Sequence, residues 1–185
     1  MGQLPEEACG VHALYIYEET EDYLQQIETF IINGVNAGEH VVLIENERSY
    51  ATILKELQKS MESEQLSLLH FVNSLQFYRL NGSYHPAHIK NSLEETIDHY
   101  EKHLLKFRVW AHVEWATNKT PMHLLAQVKE VESFADRKVS HASYIHICAY
   151  DGKRLSTEML DVLLETHPYI LKHDGLSISA DYSLK

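Results

Sequence analysis

Cysteine is scarce in this chain, which has only Cys9 and Cys148 among 185 residues. The pair forms no CxxC motif and no disulfide framework, which excludes the small secreted proteins that depend on disulfides. The first ten residues carry two glutamates and no basic residue, so we also expect no secretory signal. Both observations favour a cytoplasmic protein with reduced thiols.

Basic residues are also few, with 16 Lys and Arg against 27 Asp and Glu, giving a net charge of −11. A protein that binds nucleic acid needs Lys and Arg to replace the counterions on phosphate. We therefore expect no direct contact with nucleic acid and no attachment to an anionic membrane. No apolar run approaches the roughly 18–20 residues that span a bilayer.

Glycine is also scarce, and the seven glycines of the chain are not clustered. The chain accordingly lacks the phosphate-binding GxxxxGK[ST] loop and the GxGxxG turn of dinucleotide-binding proteins. The GxSxG and HExxH motifs of hydrolases are absent too. We predict a non-catalytic protein without a cofactor.

Strand and helix patterns alternate along the chain. The predicted strands are 12–17, 41–45, 66–72, 107–115 and 143–150, with short segments at 169–171 and 176–179. The predicted helices are 20–37, 49–60, 156–166 and two that begin near Pro86 and Thr120. Strands separated by helices imply right-handed crossovers and a mainly parallel sheet. We predict one three-layer α/β domain over 1–185, with a core at about 10–172 and five to seven strands.

Two of these strands alternate between an aliphatic face and a face with polar groups. Residues His112 and Glu114 share the polar face of one, and His146, Cys148 and Tyr150 share that of the other. If both faces point the same way, Glu114, His146, Cys148 and Tyr150 line one pocket. The alternative is that helices cover both faces and the polar atoms are satisfied locally.

The end of strand 143–150 lies where a ligand is expected, because parallel α/β sheets bind ligands beyond the carboxyl ends of their strands. Tyr150 suits a small amphipathic molecule, while Asp151 either faces the ligand or caps a turn. His12 is expected at the amino edge, unless its strand begins at Ala8. His167 ends a helix, where the dipole favours a cation.

Thirteen histidines justify a search for a metal site. Glu114, Cys148 and a histidine have the right chemistry for zinc, but they are scattered over separate strands without a local signature, and we predict no metal. Cys148 is expected to be buried and inert rather than nucleophilic. The aromatic stretch 74–85, which includes Tyr78, is either a lid over the pocket or a hydrophobic plug.

Five segments occur together in an order typical of one family. They are HALYIY, FIINGVNAGEHVV, FYRLNGSYHP, RVWAHVEW and the ending CAYD…THP. In this order they resemble MEDS domains, sensory domains named for methanogens, methylotrophs and a dichloromethane-responsive repressor. The resemblance covers roughly residues 10–172. One departure is His112-Val113-Glu114, where the family usually shows Gly-Glu.

The resemblance implies a RecA-like core without a phosphate loop, in a module of bacterial and archaeal signalling that detects a simple hydrocarbon derivative. No output domain is expected in these 185 residues, so the chain would pass its signal to a separate kinase or transcription regulator, be a fragment of a larger protein, or have another role. A homodimer is compatible with the first of these. The predicted ligand-binding residues are His12, Tyr17, Tyr78, Glu114, Cys148, Tyr150, Asp151 and His167. The alternatives are a protein-interaction module without a ligand and a metal-dependent enzyme.

Overall fold

Seven strands form one sheet in the computed structural model of the chain, which describes residues 10–81, 83–114 and 122–183. The strands are β1 Val11–Tyr17, β2 His40–Glu45, β3 Leu69–Asn73, β6 Phe107–His112, β7 Ile145–Asp151, β8 Tyr169–Lys172 and β9 Gly175–Ile178; β4 Arg79–Leu80 and β5 Ser83–Tyr84 form a separate hairpin. The order in the sheet is β3-β2-β6-β7-β1-β8-β9. Neighbouring strands are parallel except for β8 and β9, which confirms the predicted α/β class.

Seven α-helices connect the strands within these residues. They are α1 Thr20–Asn36, α2 Glu47–Leu57, α3 Ser63–Leu66, α4 Ser74–Tyr78, α5 Pro86–Lys102, α6 Met122–His141 and α7 Thr157–Thr166. None of these helices is long and apolar enough to cross a membrane. The predicted helix start at Thr120, together with Ala8, Cys9 and Trp115, lies outside the described residues.

The starts of α5 and α7 agree with their sequence signals. Pro86 occupies the first turn of α5, and the Ser156 hydroxyl caps α7 by accepting from the Met159 amide. Thr20, expected as a cap, is instead the first residue of α1, and the preceding Glu19 makes no side-chain capping bond. The stretch 74–85 is more regular than expected, because it forms α4 and the hairpin.

The core has two layers, one on each face of the sheet. One layer packs against α1 and α2 and includes Trp110 and Ile147. The other packs against α5, α6 and α7 and includes Val109, Cys148 and Tyr150. The predicted alternation of both strands is therefore confirmed, but their polar faces point in opposite directions.

Gly10 immediately precedes β1, at a point where no side chain fits. Its φ is +63°, and an added Cβ would lie 1.8 Å from the carbonyl oxygen of Val139 on α6. Gly38 has a similar φ of +73° but has open space around it. An alanine at either position would have the same unfavourable positive φ. Only at Gly10 would its Cβ also collide with the backbone of α6.

We predict that Gly10→Ala lowers the free energy of unfolding by at least about 2 kcal/mol more than Gly38→Ala does, because only Gly10 meets backbone. Left-handed strain alone costs Gly38→Ala about 1–2 kcal/mol. Urea denaturation of both variants measures the difference. Equal losses would contradict the close packing of β1 on α6.

Candidate functional site

The carboxyl ends of β1, β2, β6 and β7 surround a cavity of about 200 Å³, here called the edge pocket. Its lining includes Tyr17, Asn46, His112, Glu114, Asp151 and Arg154. Thr20, the first residue of α1, also faces the cavity. The pocket thus lies at the edge of the sheet where parallel α/β proteins bind ligands.

A chain of hydrogen bonds forms one wall of the edge pocket. Nδ1 of His112 lies 2.7 Å from Oε1 of Glu45, and Nε2 of His112 lies 2.7 Å from the Tyr17 hydroxyl. Glu45 is fully buried and also accepts a hydrogen bond from the Tyr23 hydroxyl. A neutral His112 that donates from Nδ1 to the carboxylate can accept the Tyr17 proton at Nε2. The network therefore fixes the orientation of Tyr17 at the pocket wall.

Glu114 is held in place by donors from two elements. Its Oε1 accepts from Nδ2 of Asn46 at 2.9 Å, and its Oε2 accepts from the Ser74 hydroxyl at 3.0 Å. Ser74 is the first residue of α4, so Glu114 links the pocket to that helix.

Burial raises the pKa of Tyr17, and the nearby carboxylates of Asp151, Glu45 and Glu114 add to the rise. The phenol therefore stays protonated at neutral pH.

A second group of chemically capable side chains lies inside the protein, between the sheet and α6. It consists of His12 on β1, Glu132 on α6, Cys148 on β7 and His167 after α7, and we call it the buried cluster. All four residues are buried, and His12 and His167 stack with ring centroids 4.1 Å apart. Tyr150 donates a hydrogen bond to Oε1 of Glu132.

The charges within the buried cluster follow from this geometry. Although burial opposes ionisation, the adjacent imidazoles of His12 and His167 hold the pKa of Glu132 well below its usual value. Burial also opposes protonation of the imidazoles, yet Asp136 and Glu132 raise the pKa of His12, whereas burial and the charge of His12 lower that of His167. Burial, together with Glu132, raises the pKa of Cys148 well above that of a free thiol. Without a bound metal the thiol is therefore a poor nucleophile.

The single pocket expected to contain Glu114, His146, Cys148 and Tyr150 does not form. In the register of β6 and β7, Ala111 lies beside Cys148 and His112 beside Ala149. Because side chains alternate along a strand, His112 and Cys148 point to opposite faces. The expectation of a common pocket is wrong for this physical reason.

Seven of the eight predicted residues lie in or beside these two sites. Tyr17, Glu114 and Asp151 line the edge pocket. His12, Cys148 and His167 belong to the buried cluster, and Tyr150 contacts it. Tyr78 is buried in the core, and it lines a cleft of about 10 Å³ together with Glu114.

His12 lies nearer to the other candidates than the sequence suggested. Its strand begins at Val11, as expected for a residue at the amino edge. The β1–β7 register nevertheless pairs His12 with His146 and places its Nε2 3.4 Å from Cys148 Sγ. Burial lowers the pKa of His146 to about 3, so that neighbouring ring stays neutral.

Sequence reasoning missed the acidic residues that complete each site. Glu45 ends an apolar strand, and Glu132 and Asp136 lie on a helix whose acidic residues usually face water. The signal that could have identified Glu132 and Asp136 is their spacing of four residues, which places both on one face of α6, next to the buried Val128, Val131 and Ala135.

Comparison with known proteins identifies a family over most of the chain. The sequence model of the MEDS family, described as the methanogen/methylotroph, DcmR sensory domain, matches residues 11–168. No protein with a curated description matches.

Among the solved structures that match this chain, two share its fold over most of its length. One is a protein of Pyrococcus horikoshii OT3, with a TM-score of 0.53, 13% identity and coverage of 96% of this chain and 88% of the other. The second is described as a unique ATP synthase subunit, NeqB, from Nanoarcheaum equitans, with a TM-score of 0.51, 8% identity and coverage of 90% and 46%. At these identities the similarity shows the fold alone.

Two buried tyrosines beside the cluster allow a matched comparison. We predict that Tyr150→Phe lowers the free energy of unfolding by about 1–3 kcal/mol, because it removes a donor to the buried Glu132 carboxylate. Tyr144→Phe removes a buried hydroxyl that has no hydrogen-bond partner among the described residues, and it should change stability by less than about 0.5 kcal/mol. Denaturant unfolding of both variants tests this. A larger loss of stability in Tyr144→Phe than in Tyr150→Phe would contradict the hydrogen bond between Tyr150 and Glu132.

Proposed function

Because the chain belongs to the MEDS family of sensory domains, we propose that it is a non-catalytic cytoplasmic sensor that binds a small polar molecule in the edge pocket. The single observation that supports this site is the convergence of Tyr17, Glu114 and Asp151 around one cavity at the carboxyl edge of the sheet. The signal would pass to a separate partner protein, either a kinase or a transcription regulator.

The size of the edge pocket limits the ligand to a few non-hydrogen atoms. A volume of about 200 Å³ is below the range of about 300–1,000 Å³ that is usual for drug-sized ligands. This agrees with a simple hydrocarbon derivative, the ligand class that the family resemblance implies. Short alcohols and amines are of suitable size.

The polarity of the pocket favours a ligand that donates hydrogen bonds. Glu114 and Asp151 present carboxylates, and buried Glu45 lies behind them. The first turn of a helix often binds phosphate, but here α1 begins beside these acids and follows Glu18 and Glu19. Arg154 offsets only part of this negative charge, so we expect neutral or cationic ligands to bind better than phosphate.

Glu114 offers a route by which binding could change the protein surface. It accepts one hydrogen bond from Ser74 at the start of α4 and one from Asn46 just before α2. A ligand that competes for this carboxylate would favour one position of these helix starts over another. Such a ligand shifts the equilibrium only by its difference in affinity for the two positions.

The test is a thermal-shift screen of the purified protein with short alcohols, short amines, halocarbons, carboxylates and inorganic phosphate. A short alcohol or amine at about 100 times its Kd should stabilise the wild type by about 2.7 kcal/mol, which corresponds to several degrees in Tm. Glu114→Gln should weaken that binding about tenfold, a loss of about 1.4 kcal/mol. Asp161→Asn makes the same charge change at an exposed position on α7 and should bind as the wild type does.

Two results would count against the sensor site. The first is that no compound in any class stabilises the well-folded wild type. The second is a hit whose affinity is the same in wild type and Glu114→Gln, because the ligand would then bind elsewhere.

A further inference from the structure

We propose that the buried cluster of His12, Glu132, Cys148 and His167 binds one divalent transition-metal ion, and that Zn²⁺ fits it best. This site is separate from the edge pocket, since the sheet lies between Cys148 and His112. One donor atom from each of the four residues lies within 4.8 Å of all the others.

Four of the six distances between donor atoms match a tetrahedral site, and the other two are no longer than 4.8 Å. His12 Nε2 lies 3.4 Å from Cys148 Sγ and 3.6 Å from Glu132 Oε2. Glu132 Oε2 lies 3.5 Å from Cys148 Sγ and 3.4 Å from His167 Nε2. Bonds of about 2.0–2.3 Å to Zn²⁺ in tetrahedral geometry separate the donor atoms by roughly 3.3–3.6 Å. These four separations would need little change for the cluster to accept the ion.

A buried nitrogen without a partner points to the same ligand. Nε2 of His167 makes no hydrogen bond within the described residues, and its side chain is completely buried. Burying such an atom unsatisfied costs stability. Because it faces the Glu132 oxygen and the Cys148–His12 pair, a metal ion at the centre of the cluster would supply the missing partner.

Groups around the cluster orient both histidines in the way that is common around metal sites. Nδ1 of His167 donates to the Leu163 carbonyl at 2.7 Å, which leaves Nε2 for the metal. Nδ1 of His12 lies 3.4 Å from Oδ1 of Asp136, and the Tyr182 hydroxyl donates to the other oxygen of Asp136. Carboxylates and backbone carbonyls on the far nitrogen of a metal-bound histidine are the common arrangement.

Glu132 is prepared in the same way. Its Oε1 accepts a hydrogen bond from Tyr150, while Oε2 is the oxygen that faces His12, Cys148 and His167. One carboxylate oxygen is thus held by the protein and the other remains available to a metal.

The donor types select the class of metal. A thiolate and two imidazoles with one carboxylate suit Zn²⁺, whereas Mg²⁺ and Ca²⁺ require oxygen ligands. Four protein donors in a fully buried position match the closed arrangement of a structural metal site, because no position remains for water or substrate. Such an ion would connect β1, α6, β7 and the residue after α7.

The test begins with untagged protein, dialysed against a weak chelator to remove metal from surface histidines. Elemental analysis of the wild type should give about one zinc per chain. Cys148→Ser and His167→Gln should each reduce the zinc content at least about tenfold. Two controls should keep it: His146→Gln, a buried histidine outside the cluster, and Glu114→Gln, which alters the other group of candidate ligands, Glu45, His112 and Glu114.

Cobalt provides a readout on the wild type even if the variants fold poorly. Metal-free wild type titrated with Co²⁺ should develop the thiolate charge-transfer band and the intense visible bands of tetrahedral cobalt, reaching an end point at about one equivalent. The proposal is overturned if folded wild type takes up neither Zn²⁺ nor Co²⁺, or if Co²⁺ binds without a thiolate band. It is also overturned if folded Cys148→Ser retains its zinc, or if Glu114→Gln loses it.

Discussion

Burial of both faces of a parallel sheet is the constraint on which this structure depends, because every polar side chain on a central strand must find a partner inside the protein. His12 on β1 and Cys148 on β7 occupy such positions, and both are buried. Their partners come from α6, where Glu132 and Asp136 face the sheet instead of water. The packing of α6 on β1 and β7 therefore depends on the chemistry of these polar groups as well as on apolar contact.

The same constraint separates the two sites. Polar groups that point towards α1 and α2 gather with Glu45 and His112, and they open at the carboxyl edge into the edge pocket. Polar groups that point towards α6 have no such opening and collect in the buried cluster. The open site suits an exchangeable small molecule, whereas the closed one suits an ion that stays in place.

Two such sites suit a sensory domain in which the buried cluster stabilises the fold and the edge pocket binds the ligand. The cluster ties the first strand of the sheet to the residue that follows α7, which are far apart in sequence. The edge pocket instead contacts the first residues of α1 and α4 through Thr20 and the Ser74–Glu114 hydrogen bond. A small molecule bound there would lie beside the first residues of both helices.

The sequence by itself determined the α/β class, the alternation of polar and apolar residues in β6 and β7, and the capped starts of α5 and α7, because these follow from local periodicity and local hydrogen bonds. Only the tertiary structure decided which polar faces meet. The pairing of Ala111 rather than His112 with Cys148 is a matter of strand register, and a shift of one residue exchanges the faces. The position of Glu132 also depended on tertiary packing. From the sequence alone an acidic residue on a helix is expected to face water, whereas the packing of α6 places Glu132 against the sheet.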